Sequence, residues 1–207
     1  MKNVRELIKI LKNAESVSRL DALREDMAGL IPEIRVMFDF DQRSLFHQYD
    51  LWIHSLHVVC GLPRDIDDDM LYLGALLHDI GKPAMAAYSG KPCDHALHFK
   101  GHPVKSFEIV KNEILPRLKE EDFTEEELDL LLFYVEHHDD DMALTRKCVR
   151  KYVKMQNITV FKHLLMLEIS DAEAHVNKPI IAKRINTCRS LLDGFADELL
   201  KITDMNI

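Results

Sequence analysis

LLHDIGKP, residues 76–83, decides how this chain is read. An apolar run ends there on a histidine and an aspartate side by side, and glycine, lysine and proline follow at once. In mid-helix, two neighbouring side chains diverge by about 100° at 3.6 residues per turn. At a helix end that restriction relaxes. Gly81 permits a backbone bend there, and Pro83 stops the helix from continuing. Two adjacent ligands can then converge on one ion, or one can bind while the other bridges to a second.

Outward from this stretch the pattern is helical. Apolar positions recur at helical spacing over residues 3–13 (Val4, Leu7, Ile8, Leu11) and over 16–38, where Pro32 marks a break. Further helices are expected at 49–60, 66–79, 103–118, 125–138, 144–154, 158–176 and 179–202. The alternation of a strand is nowhere sustained, so the fold class is all-α. At 207 residues the chain fits one bundle. We divide it into an N-terminal helical extension (1–45) packed on the core, a central domain (46–178) and a C-terminal helix (179–207) that completes the bundle. Residues 80–103 hold three of the seven glycines and three of the seven prolines and read as one long loop. Loops of that length in a bundle are usually functional or mobile.

Composition narrows the function. The net charge of −8 argues against a broad grip on nucleic acid and suits a site that gathers acids and histidines to hold cations. No run of 18 apolar residues occurs, and the N-terminus lacks the pattern of a signal peptide. Cys60, Cys93, Cys148 and Cys188 lie far apart with no CxxC pair, as expected of reduced thiols in a cytoplasmic protein.

Eleven histidines are present, nine of them between residues 47 and 138. His54 and His57 share a helix face. His137 and His138 close an apolar helix in YVEHHDDD (134–141). Asp171 lies in LEISDAEAH (167–175), behind Leu164, Leu165, Leu167 and Ile169. A carboxylate on so apolar a helix needs a partner, either a metal ion or an Arg or Lys. Imidazole and carboxylate together suit Mn, Fe, Co, Ni or Zn. Tyr49 and Trp52 flank His54 and read as core packing ahead of base stacking.

The ordered set His54, His78–Asp79, Asp171 resembles the HD domain, a family of helical metal-dependent phosphohydrolases. HQYDLWIHSLHVV (47–59), HFKGHPVKSFEIV (98–110), YVEHHDDD and ISDAEAH (169–175) resemble, in that order, the HD domain attached to some bacterial CCA-adding tRNA nucleotidyltransferases. The nucleotidyltransferase region of those enzymes has no counterpart in the 45 residues that precede the resemblance, so nucleotide addition to tRNA is not implied. No GYP-type motif follows the doublet, and a cyclic di-GMP substrate is not implied either.

The resemblance implies a phosphomonoesterase or phosphodiesterase that acts on a nucleotide or related small phosphoester through a metal-activated water. It places His54, His78, Asp79 and Asp171 on a first ion and His102, His137 and His138 on a second. Asp79 and Lys82 are then catalytic, with Lys82 also pairing with a substrate phosphate. His98 and Arg150 are further substrate contacts. Arg150 belongs to a basic run with Arg146, Lys147, Lys151 and Lys154. The implied cofactor is one or two divalent ions (Mn, Fe, Ni, Co or Mg). The competing reading is a catalytically weak HD-fold module that binds a nucleotide or RNA for regulation. An RNA partner is the less favoured of these on charge.

Overall fold

The computed structural model of the chain describes residues 1–64, 66–88 and 96–196, and helices dominate it, as the periodicity predicts. Helices α1 (Val4–Lys12), α2 (Val17–Asp21) and α3 (Arg24–Leu30) open the chain, and a 3-10 turn over Pro32–Met37 follows. Next come α4 (Leu51–Gly61), α5 (Asp69–Leu77), the one-turn α6 (Lys82–Met85) and α7 (His102–Ile109). The remainder is α8 (Leu115–Glu120), α9 (Glu125–His137), α10 (Arg146–Met155), α11 (Ile158–Glu173) and α12 (Pro179–Ser190). The strands among the described residues are β1 (Ala87–Tyr88) and β2 (Leu97–His98), paired antiparallel with Ala87 opposite His98. No helix among the described residues is long and apolar enough to cross a membrane.

Local chemistry sets the helix starts. Asn3, Ser16, Asp50, Asp68, Thr124, Thr145 and Asn157 each accept a hydrogen bond from an N–H in the first turn that follows. These side chains satisfy donors that a helix cannot satisfy internally.

Three spans depart from the sequence reading. The long helix expected over 103–118 is interrupted by a wide π turn at Val110–Ile114. Pro116 follows it, and a proline ring has no N–H to give to the preceding turn and crowds it. The last helix gives way to another π turn at Leu191–Phe195, where Gly194 takes φ 119°. The end of the expected C-terminal helix, from residue 197 on, lies outside the described residues. Finally, the stretch 80–103 contains α6 and the β1–β2 pair, and its residues 89–95 lie outside the described residues. Cys93 lies outside the described residues, as does His95; the other three cysteines are unpaired.

The core is built around α5. Every residue from Met70 to Leu77 is buried, as a helix apolar on all sides requires. It packs against α1, α4 and α9, and α11 packs against α4 and α12. Each fully buried Leu or Val contributes about 1.5–3 kcal/mol relative to exposure. The α4–α11 crossing is tight: a Cβ on Gly61 would meet Ser170 Oγ at 2.2 Å. Ser170 Oγ instead donates to the Val58 carbonyl at 2.7 Å.

A polar knot ties three of these helices together. Asp68 caps α5 through one oxygen, which accepts from Leu71 N at 3.1 Å. Its other oxygen accepts from the Tyr134 hydroxyl of α9 at 2.6 Å and faces His163 Nδ1 of α11 at 2.7 Å. Burial pushes the Asp68 carboxyl up, but the bonds from His163 and Tyr134 outweigh it and hold it below its ordinary value. Asp68→Ala removes a cap, worth about 1 kcal/mol. It also strands a buried hydroxyl, at about 1–3 kcal/mol. Urea unfolding should therefore show a loss of about 2–4 kcal/mol near neutral pH. A depressed folded pKa contributes stability that is complete above the unfolded value of about 4 and is lost as pH falls through the folded one. The gap between wild type and Asp68→Ala should accordingly narrow below about pH 4.

Candidate metal centre

Three elements deliver the first group of side chains. His54 comes from the middle of α4, His78 and Asp79 from the turn that ends α5, and Asp171 from the last turns of α11. All four are buried. His54 Nε2 lies 3.0 Å from Asp171 Oδ1 and 3.6 Å from Asp79 Oδ2. His78 Nε2 lies 3.1 Å from Asp79 Oδ2 and 3.6 Å from Asp171 Oδ1. One ligand atom from each of the four sits within 4.8 Å of the others.

A second group shares Asp79. Its Oδ1 lies 3.0 Å from His102 Nε2, at the start of α7, and 3.4 Å from His138 Nε2, at the end of α9. Asp79 therefore turns one oxygen toward each group. His78, His102 and His138 use one local device. Each directs Nδ1 at the carbonyl three residues earlier, Ala75, Phe99 and Val135, at 2.8, 3.0 and 2.8 Å. A carbonyl only accepts, so the ring proton sits on Nδ1 and the Nε2 lone pair is left for a ligand.

These side chains fit a divalent cation. His78 Nε2 and Asp79 Oδ1 are buried polar atoms without a hydrogen bond. The Nε2 atoms of His102 and His138 stand 3.2 Å apart. With both protons on Nδ1, two lone pairs face one another there, which only a proton or cation between them relieves. The mix of imidazole and carboxylate suits the first-row divalent metals.

Electrostatics divide the histidines. Burial holds His54 down to about 4 and lowers His138, so both stay neutral, the form that binds metal. Burial also opposes a charge on His78, yet Asp79 and Asp171 overcome it and pull that imidazole up to about 10. Among protein groups alone, then, His78 carries positive charge between two carboxylates. Burial would raise both acids. His78, Lys82 and His102 outweigh it at Asp79; His175, His54, His78 and Arg184 do so at Asp171, and both acids are held well below their ordinary range.

The surroundings revise several sequence expectations. Gly81 has an ordinary φ of −79°, so it is not needed for a bend. Its role is close approach: a Cβ there would sit 2.5 Å from Ser106 N and 2.8 Å from the His102 carbonyl. Pro83 does not stop a helix either, because it occupies the first turn of α6, where its missing N–H costs nothing. Lys82 is buried in α6 and not on an open loop. Its ammonium reaches Asp79 Oδ2 at 2.6 Å, Gln42 Oε1 at 3.0 Å and His47 Nε2 at 3.1 Å. Those contacts use all three donors, so Lys82 holds Asp79 and has none spare for a phosphate. His137 is in neither group; its Nδ1 faces Asp140 Oδ2 at 2.9 Å. His98 is exposed on β2 and Arg150 half-buried on α10, and neither joins the groups.

Other neighbours were not assigned to the site from sequence. His47 and His175 pack beside His54, their own rings tilted with centroids 4.5 Å apart, and their backbones form an isolated bridge. Arg184 of α12 reaches Asp171 Oδ2 at 3.2 Å. His47 opens the block HQYDLWIHSLHVV and His175 closes ISDAEAH, so membership of those blocks was the signal that could have found them. Arg184 adjoins Lys183 in an ordinary amphipathic stretch, and nothing distinguishes them by sequence.

The sequence model of the HD domain matches residues 50–175, well over half of the chain. This chain belongs to the HD domain family, and all four residues of the first group lie within the matched segment.

Asp79→Ala should abolish binding of Mn2+ or Co2+ as read by calorimetry, with the helical circular dichroism retained. His138→Ala should weaken the second binding step by tenfold or more, and His137→Ala by much less, since only His138 faces Asp79. Gly81→Ala should destabilise the fold by about 1–3 kcal/mol in urea, because the clash is with backbone.

Proposed function

We propose that this chain hydrolyses phosphoesters, with a nucleotide or related small phosphoester as substrate, and that its kinship lies with the HD domains of bacterial CCA-adding tRNA nucleotidyltransferases. The observation that carries the reading is Asp79, whose two oxygens serve two separate imidazole groups. A divalent cation held there supplies a Lewis acid, which lowers the pKa of water and offsets charge on phosphoryl oxygens. His54, His78, Asp79 and Asp171 would hold one ion, and Asp79, His102 and His138 another.

The remaining work falls to the chain itself. Lys82 fixes Asp79 through Oδ2 and leaves Oδ1 without a hydrogen bond. Burial of the ligand set excludes bulk water, which strengthens every charge interaction inside. Two clefts border the centre. One of about 330 Å³ is lined by residues 41–44 and 47–50, His47 among them, and one of about 350 Å³ lies against His175 between α11 and α12. Volumes in this range suit a small molecule better than a polymer. His47 is held neutral, at about 2, by burial and by the Lys82 charge. Its Nε2 accepts from Lys82, which leaves the proton on Nδ1, a buried atom without a partner. His98 and Arg150 are outer substrate contacts in this reading.

The test is turnover of bis-p-nitrophenyl phosphate, p-nitrophenyl phosphate and a nucleotide panel with Mn2+, Ni2+, Co2+ or Mg2+. Metal-dependent hydrolysis of at least one is expected. Tight metal binding with no turnover of any would overturn the reading in favour of a regulatory binding module. Lys82→Met should lower kcat by tenfold or more and move KM little, because Lys82 holds Asp79 and does not reach the substrate. A change confined to KM would place Lys82 on the substrate instead.

A further inference from the structure

We infer that Arg184 is a positioning residue of the metal centre, and that α12, beyond the segment matched by the family, completes the centre. The inference rests on the metal-binding reading of the two ligand groups. Asp171 presents Oδ1 to His54 and His78 at 3.0 and 3.6 Å. Its other oxygen lies 3.2 Å from Arg184 Nη1. Occupying Oδ2 fixes the rotation of the carboxylate, and with it the direction in which Oδ1 points.

The same guanidinium reaches the second group. Arg184 Nη2 donates to the main-chain carbonyl of His138 at 2.6 Å, and Nη1 lies 3.2 Å from Asp139 Oδ1. His138 caps the C-terminus of α9, where carbonyls lack intrahelical donors and a cation is favoured. One side chain thus clamps a ligand of the first group and the backbone that carries a ligand of the second. Glu168, fully buried on α11, takes Arg184 Nε at 3.3 Å and sets the plane of the fork. A planar fork with five donors can make these contacts together; a lysine ammonium on a flexible stem cannot span them.

The arrangement parallels the one at Asp79, where Lys82 grips the oxygen opposite the second group. Asp79 and Asp171 are each held by one Lys or Arg side chain. Lys82 lies inside the matched segment and Arg184 outside it.

The experiment titrates full-length wild type, Arg184→Met, Arg184→Lys and Arg189→Ala with Co2+, following the visible Co2+ spectrum and the heat of binding, with thermal unfolding alongside. Arg189 is the control: it lies on the same helix in an exposed pair with Glu173. Expected is a tenfold or greater loss of Co2+ affinity in Arg184→Met, with an altered spectrum. Arg184→Lys should recover part of the affinity, and Arg189→Ala should match wild type. Wild-type affinity in Arg184→Met would overturn the assignment. So would tighter binding, the result expected if Arg184 acted only as a nearby repelling charge. An equal loss in Arg189→Ala would also overturn it. If Arg184→Met does not fold, Arg184→Lys decides, and wild-type affinity there is the refuting result. Failure of wild type to bind Co2+ would overturn the metal-centre reading and the assignment with it; failure of hydrolysis alone would leave both standing.

Discussion

Asp79 and Asp171 enter a bundle interior that is mostly apolar, and both stay ionised there. Moving a carboxylate out of water costs several kcal/mol unless charge of the opposite sign meets it with good geometry. The rest of the centre answers that demand. Lys82 and Arg184 each take one oxygen, four imidazoles turn Nε2 toward the remaining lone pairs, and two separate groups of nitrogens form around one shared acid. Those contacts satisfy the carboxylates' charge, yet His78 Nε2 and Asp79 Oδ1 still lack a hydrogen bond in the core. A cation removes that deficit.

The bundle meets this demand mostly with helix ends. Asp79 follows α5 in the turn, His102 opens α7, His138 caps α9 and Asp171 sits near the end of α11. At a helix end a side chain can bond to its own backbone and still face inward. The repeated bond from ring Nδ1 to a carbonyl three residues back does this for His78, His102 and His138. His54 is the exception, held in mid-helix by its buried position on α4.

Much of this was legible beforehand, for a physical reason. Helical periodicity reports burial on one face, and it placed α1, α4, α5, α9 and α11 to within a few residues. His54, the doublet and Asp171 stand out because titratable groups on apolar helices need a partner. Other features depend on what packs against a residue, which one chain read in a line does not reveal. Gly81 was expected to permit a bend at the helix end, yet the neighbouring helix is what demands it. Pro83 looked like a stop and begins a turn. His137 and His138 are adjacent and chemically identical, and only the end of α9 decides that one faces Asp79 while the other faces Asp140. Arg184 was invisible because its partners are the ligands themselves, brought to it by the α11–α12 contact.

The close seat of α7 against the doublet turn has one more effect. With no side chain at residue 81, the main chain of His102 and Lys105–Ser106 rests directly on the main chain that follows Asp79. The gap between Asp79 and His102 is then set by two backbones in contact, and rotamer choice does little to widen it. Main-chain contact thus ties the turn that carries Asp79 to the start of the helix that carries His102, and the two cannot drift apart or close up independently.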